Sequence, residues 1–159
     1  MADPHRPFSA SYHITGPSRE SIFAALLDVR SFPEWARGLR RVRVLNAERV
    51  AETSEVRPGV ALEFTLSAAG LTHRVVGTVT AVEPPQRLEW RYTEGAVGSG
   101  GWLLEDAGPG TVRLTLSTDY TVKPAWLDRI AHRPFFRGLT EDLLGRSIRR
   151  FERYLSEEA

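Results

Sequence analysis

Two tyrosines, Tyr92 and Tyr120, and one histidine, His73, are the side chains of this sequence best placed to move a proton. A hydroxyl or imidazole in a dry pocket suffices for acid–base work once its surroundings tune its pKa. Other chemistries find no footing. His5, His13, His73 and His132 show no close metal-ligand spacing and no His-Glu-x-x-His, so no metal site is expected. Gly98-Ser99-Gly100-Gly101 is no dinucleotide fingerprint, since the third glycine position falls at Leu103 and no helix follows. It is no nucleophile elbow either, because Val97 stands two residues before Ser99. A glycine-rich start to a bent strand accounts for it better. Zero cysteines exclude disulfides, thiolate catalysis and cysteine-ligated metals. No cofactor is implied, and a cysteine-free chain fits a reducing cytoplasm.

The elements that would position these groups are mostly strands. Phe8, Ala10, Tyr12 and Ile14 alternate with polar residues, the period of a half-buried strand. Val42 and Val44 begin a second strand, and Val60, Leu62, Phe64 and Leu66 alternate in a third up to the turn Ala68-Ala69-Gly70. Leu71, His73, Val75, Gly77, Val79 and Ala81 share one face of the next, which the breaker Pro84-Pro85 ends. Leu88, Trp90 and Tyr92 follow, then Trp102 and Leu104, then Val112 to Val122 after Gly108-Pro109-Gly110. The opposite parity carries Arg74, Thr78, Glu89, Arg91, Arg113 and Ser117. One dry and one wet face predict an antiparallel sheet of six or seven strands.

Helices bracket the sheet. Gly16-Pro17-Ser18 opens one over Pro17–Val29, burying Ile22, Phe23, Leu26 and Leu27. Ser31 is the expected cap of a second short helix through Phe32-Pro33-Glu34-Trp35. A tail helix near Ala125–His132 and a long one over Pro134–Ser156 follow. The stripe Phe136, Leu139, Leu143, Leu144, Ile148, Phe151 and Leu155 on the long helix is predicted to cover the dry face.

Composition bounds the rest. The chain has 159 residues, the size of one ordinary domain (1–159), and 42% of them are hydrophobic, enough for a sizeable core. No apolar stretch is long enough for a transmembrane segment, and Met1–Pro7 is too polar for a signal peptide. A net charge of +1 argues against nucleic acid as a partner. All basic residues but Lys123 are arginine, a bias that fits bacterial GC-rich codon usage better than chemistry. Arg146, Arg149, Arg150 and Arg153 form a stripe on the long helix, and Arg37, Arg40, Arg41 and Arg43 a second group. A solvated face explains both, and weak contact with a membrane surface is the alternative.

The run from Pro17 through Leu26, Leu27 and Asp28 to Phe32-Pro33-Glu34-Trp35 resembles the opening of the START-like, polyketide cyclase/dehydrase superfamily (SRPBCC). There a proline-led helix with an aliphatic–aromatic pair leads through an Asp into an aromatic-Pro-x-Trp turn, and the likeness extends from Phe8 to Leu155. The resemblance implies an α+β helix-grip fold, in which a curved antiparallel sheet wraps around a long C-terminal helix with an internal cavity between them. It also implies binding of lipids, polyketides, quinones or other aromatic metabolites. It transfers no catalytic residue, because Pro33 and Trp35 are packing residues.

Within that frame Phe64, His73, Trp90, Tyr92, Trp102, Leu116 and Tyr120 share the inward parity, with Trp126, Leu139 and Gly145 contributed by the tail. These ten are the expected cavity lining. Gly138 and Gly145 in the helix and Gly77 on the sheet either permit close packing or leave room for a ligand. The expected function is a carrier or sensor of an apolar or aromatic small molecule, as monomer or homodimer. The alternatives are a cyclase/dehydratase with a Tyr or His as proton donor, and a protein–protein module acting through the wet sheet face.

Overall fold

The alternating stretches form seven strands in the computed structural model, which describes residues 8–45, 56–68, 70–122 and 146–157. They are β1 (Phe8–Thr15), β2 (Leu39–Val44), β3 (Ala61–Ala68), β4 (Leu71–Glu83), β5 (Arg87–Glu94), β6 (Ala96–Asp106) and β7 (Thr111–Val122). All pair antiparallel in one curled sheet of order β1-β7-β6-β5-β4-β3-β2. Strands β2 to β7 therefore lie in chain order, and β1 returns to pair with β7. Strand β4 departs from strict alternation. A register shift between Val79 and Ala81 puts Val82 opposite Leu88 and against the core, where the period of two predicts Ala81. A bulge inserts one residue, flips the parity beyond it and bends the strand.

Helix α1 (Arg19–Leu27) buries Ile22, Phe23 and Leu26. Its cap is Ser18, whose Oγ accepts the Ser21 N–H at 3.1 Å, so Pro17 precedes the helix instead of occupying its first turn. A 3-10 turn, Val29–Ser31, leads into α2 (Phe32–Trp35). Ser31 stands at its N-cap position, as expected, but its side chain makes no capping hydrogen bond. The Ser31 hydroxyl donates to the Asp28 carbonyl at 2.6 Å, tying α2 back to the end of α1.

The last helix, α3, is described over 146–157. Ile148, Phe151 and Leu155 join Leu62, Val79, Leu88, Leu104 and Leu114 in one core, so α3 lies on the dry face of the sheet. This is the α+β helix-grip architecture. The remainder of the predicted Pro134–Ser156 helix and the short Ala125–His132 helix lie outside the described residues. The aromatic-Pro-x-Trp turn clasps α3. The ring of Trp35 stands 4.4 Å from that of Phe151 and 4.9 Å from that of Phe32. The Arg37 N–H donates to the buried Ser147 hydroxyl at 2.7 Å, and Arg150 Nη2 donates to the Glu34 carbonyl at 3.1 Å.

Among the described residues, the wet face carries one buried carboxylate. Glu63 is only 8% exposed and accepts Arg74 Nε at 2.6 Å, with Arg43 Nη1 at 3.7 Å. The Arg74 hydrogen bond, aided by the Arg74 and Arg43 charges, holds the Glu63 carboxyl below its ordinary value. A carboxyl depressed in the folded state stabilises above its unfolded pKa, and that contribution is lost as pH falls through the folded pKa. Glu63→Gln should therefore be less stable than the native protein at neutral pH, and the gap should close as the pH falls below the ordinary glutamate range. Urea unfolding across that range checks it; a pH-independent gap would rule out the ion pair as its cause.

Candidate functional site

The dry face has two unlike halves. At one end Ile14, Val112, Leu114, Leu104, Leu88, Val79 and Leu62 are buried in one core with α1 and α3 residues. At the other, Phe64, His73, Trp90, Tyr92, Leu116, Thr118 and Tyr120 are half-buried, and Leu66 is 41% exposed. Registry brings the second set together. Phe64 faces Val75, Leu66 faces His73, Tyr92 lies between Gly77 and Gly98, and Gly98 faces Tyr120. Six of the expected lining residues thus share one surface: Phe64, His73, Trp90, Tyr92, Leu116 and Tyr120. Trp102 is placed differently. It pairs with Leu88 and Leu116, is 7% exposed and belongs to the packed half. Trp126, Leu139, Gly145 and Gly138 lie outside the described residues.

Glycines shape this surface by seating Trp90. A Cβ at Gly100 would stand 2.7 Å from Trp90 Cζ2, and one at Gly77 would stand 3.4 Å from Trp90 Cδ1. The indole therefore lies across β4, β5 and β6 on two bare backbones. Gly77 accommodates the protein's own indole, so it is no sign of empty space. An open groove of about 500 Å³ borders β6, lined by Arg87, Glu89, Ser117 and Asp119 together with Trp90, Trp102 and Thr118.

Polar atoms on the aromatic half are few and specifically held. His73 Nε2 lies 2.8 Å from the Gly95 carbonyl. A carbonyl only accepts, so Nε2 carries the hydrogen and holds the ring against the β5–β6 turn. The Tyr92 hydroxyl lies 2.8 Å from Thr118 Oγ1, and that hydroxyl donates to the Ser99 carbonyl at 3.4 Å. The rings of Tyr92 and Tyr120 meet edge-on at 6.4 Å. Thr118 is the member that sequence reasoning misses. Its one signal is a hydroxyl on the apolar parity of β7, between Leu116 and Tyr120.

Residues 7–156 match the sequence model of the family described as polyketide cyclase / dehydrase and lipid transport. No curated protein matches the chain. Among solved structures it is similar to a START superfamily protein from Mycobacterium smegmatis, at 15% identity and a TM-score of 0.72, covering 96% of this chain and 99% of that one. It is similar to the ZhuI aromatase/cyclase from Streptomyces sp. R1128, at 12% identity and a TM-score of 0.72, covering 95% and 93%. A protein from Thermus thermophilus shares 15% identity at a TM-score of 0.75, covering 97% and 99%. At these identities the likeness is one of fold.

Proposed function

Since the chain belongs to the polyketide cyclase / dehydrase and lipid transport family, we propose that it binds an apolar or aromatic small molecule, as a carrier or sensor, against the aromatic half of its sheet. The observation that carries this reading is the contrast between the two halves. Phe64 and Trp90 pack against the edge of the core yet stay half-buried, as do Tyr92 and Tyr120, while the residues at the other end are buried. Aromatic walls with a few fixed polar groups are the usual make-up of a small-molecule site.

An apolar naphthalene dye should bind saturably and quench tryptophan fluorescence, with Trp90 as the reporter. Native mass spectrometry of freshly purified protein should show a retained small molecule. Absence of saturable dye binding would sink the reading. A second reading, polyketide cyclase/dehydratase chemistry, draws on the Tyr92 hydroxyl and on the fold shared with the Streptomyces aromatase/cyclase. Tyr92→Phe separates the two. A carrier loses a modest part of its affinity, whereas an enzyme using Tyr92 as proton donor loses about 10²–10⁴ in turnover of a polyketide chain.

A further inference from the structure

We propose that the rim of the aromatic half, with the arginines that the clasp between α2 and α3 gathers beside it, is a docking surface for an anionic lipid bilayer. The proposal rests on the binding function above and adds where the ligand is exchanged. Three contacts build the surface. The Arg37 N–H meets the Ser147 hydroxyl of α3 at 2.7 Å, and the next residue, Gly38, accepts the Ser67 N–H at 2.6 Å. Leu39 then pairs with Leu66. The link from α2 to β2 therefore touches both α3 and the tip of the β3–β4 hairpin. Two stretches far apart in sequence, 37–43 and 146–153, meet there, and they hold eight arginines and a single carboxylate, Glu152. The whole chain is only +1, so the rest of it is net acidic.

Most of these charges are not neutralised. Arg37, Arg40, Arg149 and Arg153 are exposed, and among the described residues no carboxylate pairs with any of them. Arg150 donates to a neutral acceptor, the Glu34 carbonyl, and so keeps its full charge. Elsewhere Arg19, Arg74, Arg87 and Arg113 each meet a carboxylate. Beside the unpaired arginines the hairpin presents aliphatic side chains to water. Leu66 is 41% exposed and Leu71 40%, at the end of the dry face where Leu66 faces His73. Leucines beside unpaired arginines suit a bilayer interface, where aliphatic groups enter the headgroup boundary and cations meet phosphates. An acidic protein surface answers the arginines alone, whereas a bilayer answers both and needs no fixed register for either. The aromatic half lies behind this rim, so an apolar ligand passes between the two without crossing water.

Flotation of the whole chain with lipid vesicles tests this. The native protein should float with phosphatidylcholine vesicles containing about 30% phosphatidylglycerol and not with pure phosphatidylcholine, and salt at about 0.5 M should weaken the binding. Arg40→Gln and Arg149→Gln should each lower partitioning about three- to fivefold while leaving naphthalene dye binding in solution unchanged. Leu71→Ser should lower it about three- to tenfold. Equal binding to both vesicle types, no binding to either, or partitioning untouched by the two arginine variants would overturn the proposal. Binding to soluble poly-glutamate as tight as to the anionic vesicles, and unaffected by Leu71→Ser, would also overturn it and give the surface to an acidic protein. Saturable dye binding without flotation overturns the docking alone. Flotation without dye binding overturns the exchange role together with the binding function. The native-protein comparison needs no variant, and thermal melts show whether each variant is folded.

Discussion

Gly100→Ala is expected to destabilise the protein by about 1–3 kcal/mol, whereas Gly77→Ala is expected to be neutral or to stabilise it by about 0.4–1 kcal/mol. Both glycines lie under the same indole on the same face, so ordinary strand preference would treat them alike. The difference lies in clearance. At 100 the new methyl would meet the six-membered ring at 2.7 Å, a separation that real Cβ atoms do not adopt. That ring is flat and wide and spans three strands, so it must tilt as a whole. At 77 the methyl would touch Cδ1 at 3.4 Å, an ordinary contact, and would reduce the freedom of the unfolded chain. Thermal melts of the two variants give the sign. Trp90→Leu in the Gly100→Ala background should recover most of the loss, because the overlapping atoms are removed. A Gly100→Ala variant as stable as the native protein, with unchanged tryptophan emission, would show that the indole is not seated there.

The strands were legible because each has one dry face. Tyr12 and Ile14, Leu62 and Phe64, and Leu114 and Leu116 keep their period of two along the sheet, and a chain-long alternation leaves few alternatives to an antiparallel sheet. The same rule failed in β4, where nothing in the residues Val79-Thr80-Ala81-Val82 announces a bulge; the pairing with Leu88 decides it. The aromatic half was legible for the same reason as the strands, since parity alone gathers Phe64, Trp90, Tyr92 and Tyr120. Its polarity was not. That Tyr92 points at Thr118 is a relation between β5 and β7 across β6, where Gly98 stands opposite Tyr92 and Gly100 opposite Thr118. Between the two readings of Gly77, close packing or room for a ligand, the Trp90 indole beside it favours packing, because a sequence shows a missing side chain but not which neighbour fills the gap.

Phe151→Ala is expected to cost about 3–5 kcal/mol, the range for truncating a large buried aromatic. In a domain of this length that corresponds to a fall in Tm of roughly 6–20 °C. Phe151 is 0% exposed, stands 4.4 Å from the Trp35 ring and is one turn from both Ser147 and Leu155. Its ring is thus shared by the clasp and the core. Removing it leaves a cavity against an indole whose Nε1 is already buried without a hydrogen-bond partner, a group with nothing to gain from a dry void. Ser147→Ala removes the acceptor of the Arg37 N–H and should cost about 1–3 kcal/mol. The two losses should combine to less than their sum, since both release the same contact between α2 and α3. Binding distinguishes this clasp from the site. Phe151 is fully buried in the core, whereas Tyr92 and Tyr120 are half-buried and Phe64 and Trp90 are half-buried at the core's edge. Well below its Tm, the Phe151→Ala protein should bind the naphthalene dye within about twofold of the native protein, a difference under about 0.5 kcal/mol. Loss of dye binding in a variant that still melts cooperatively would mean that the packed half forms part of the ligand's seat, and would move the site toward α3.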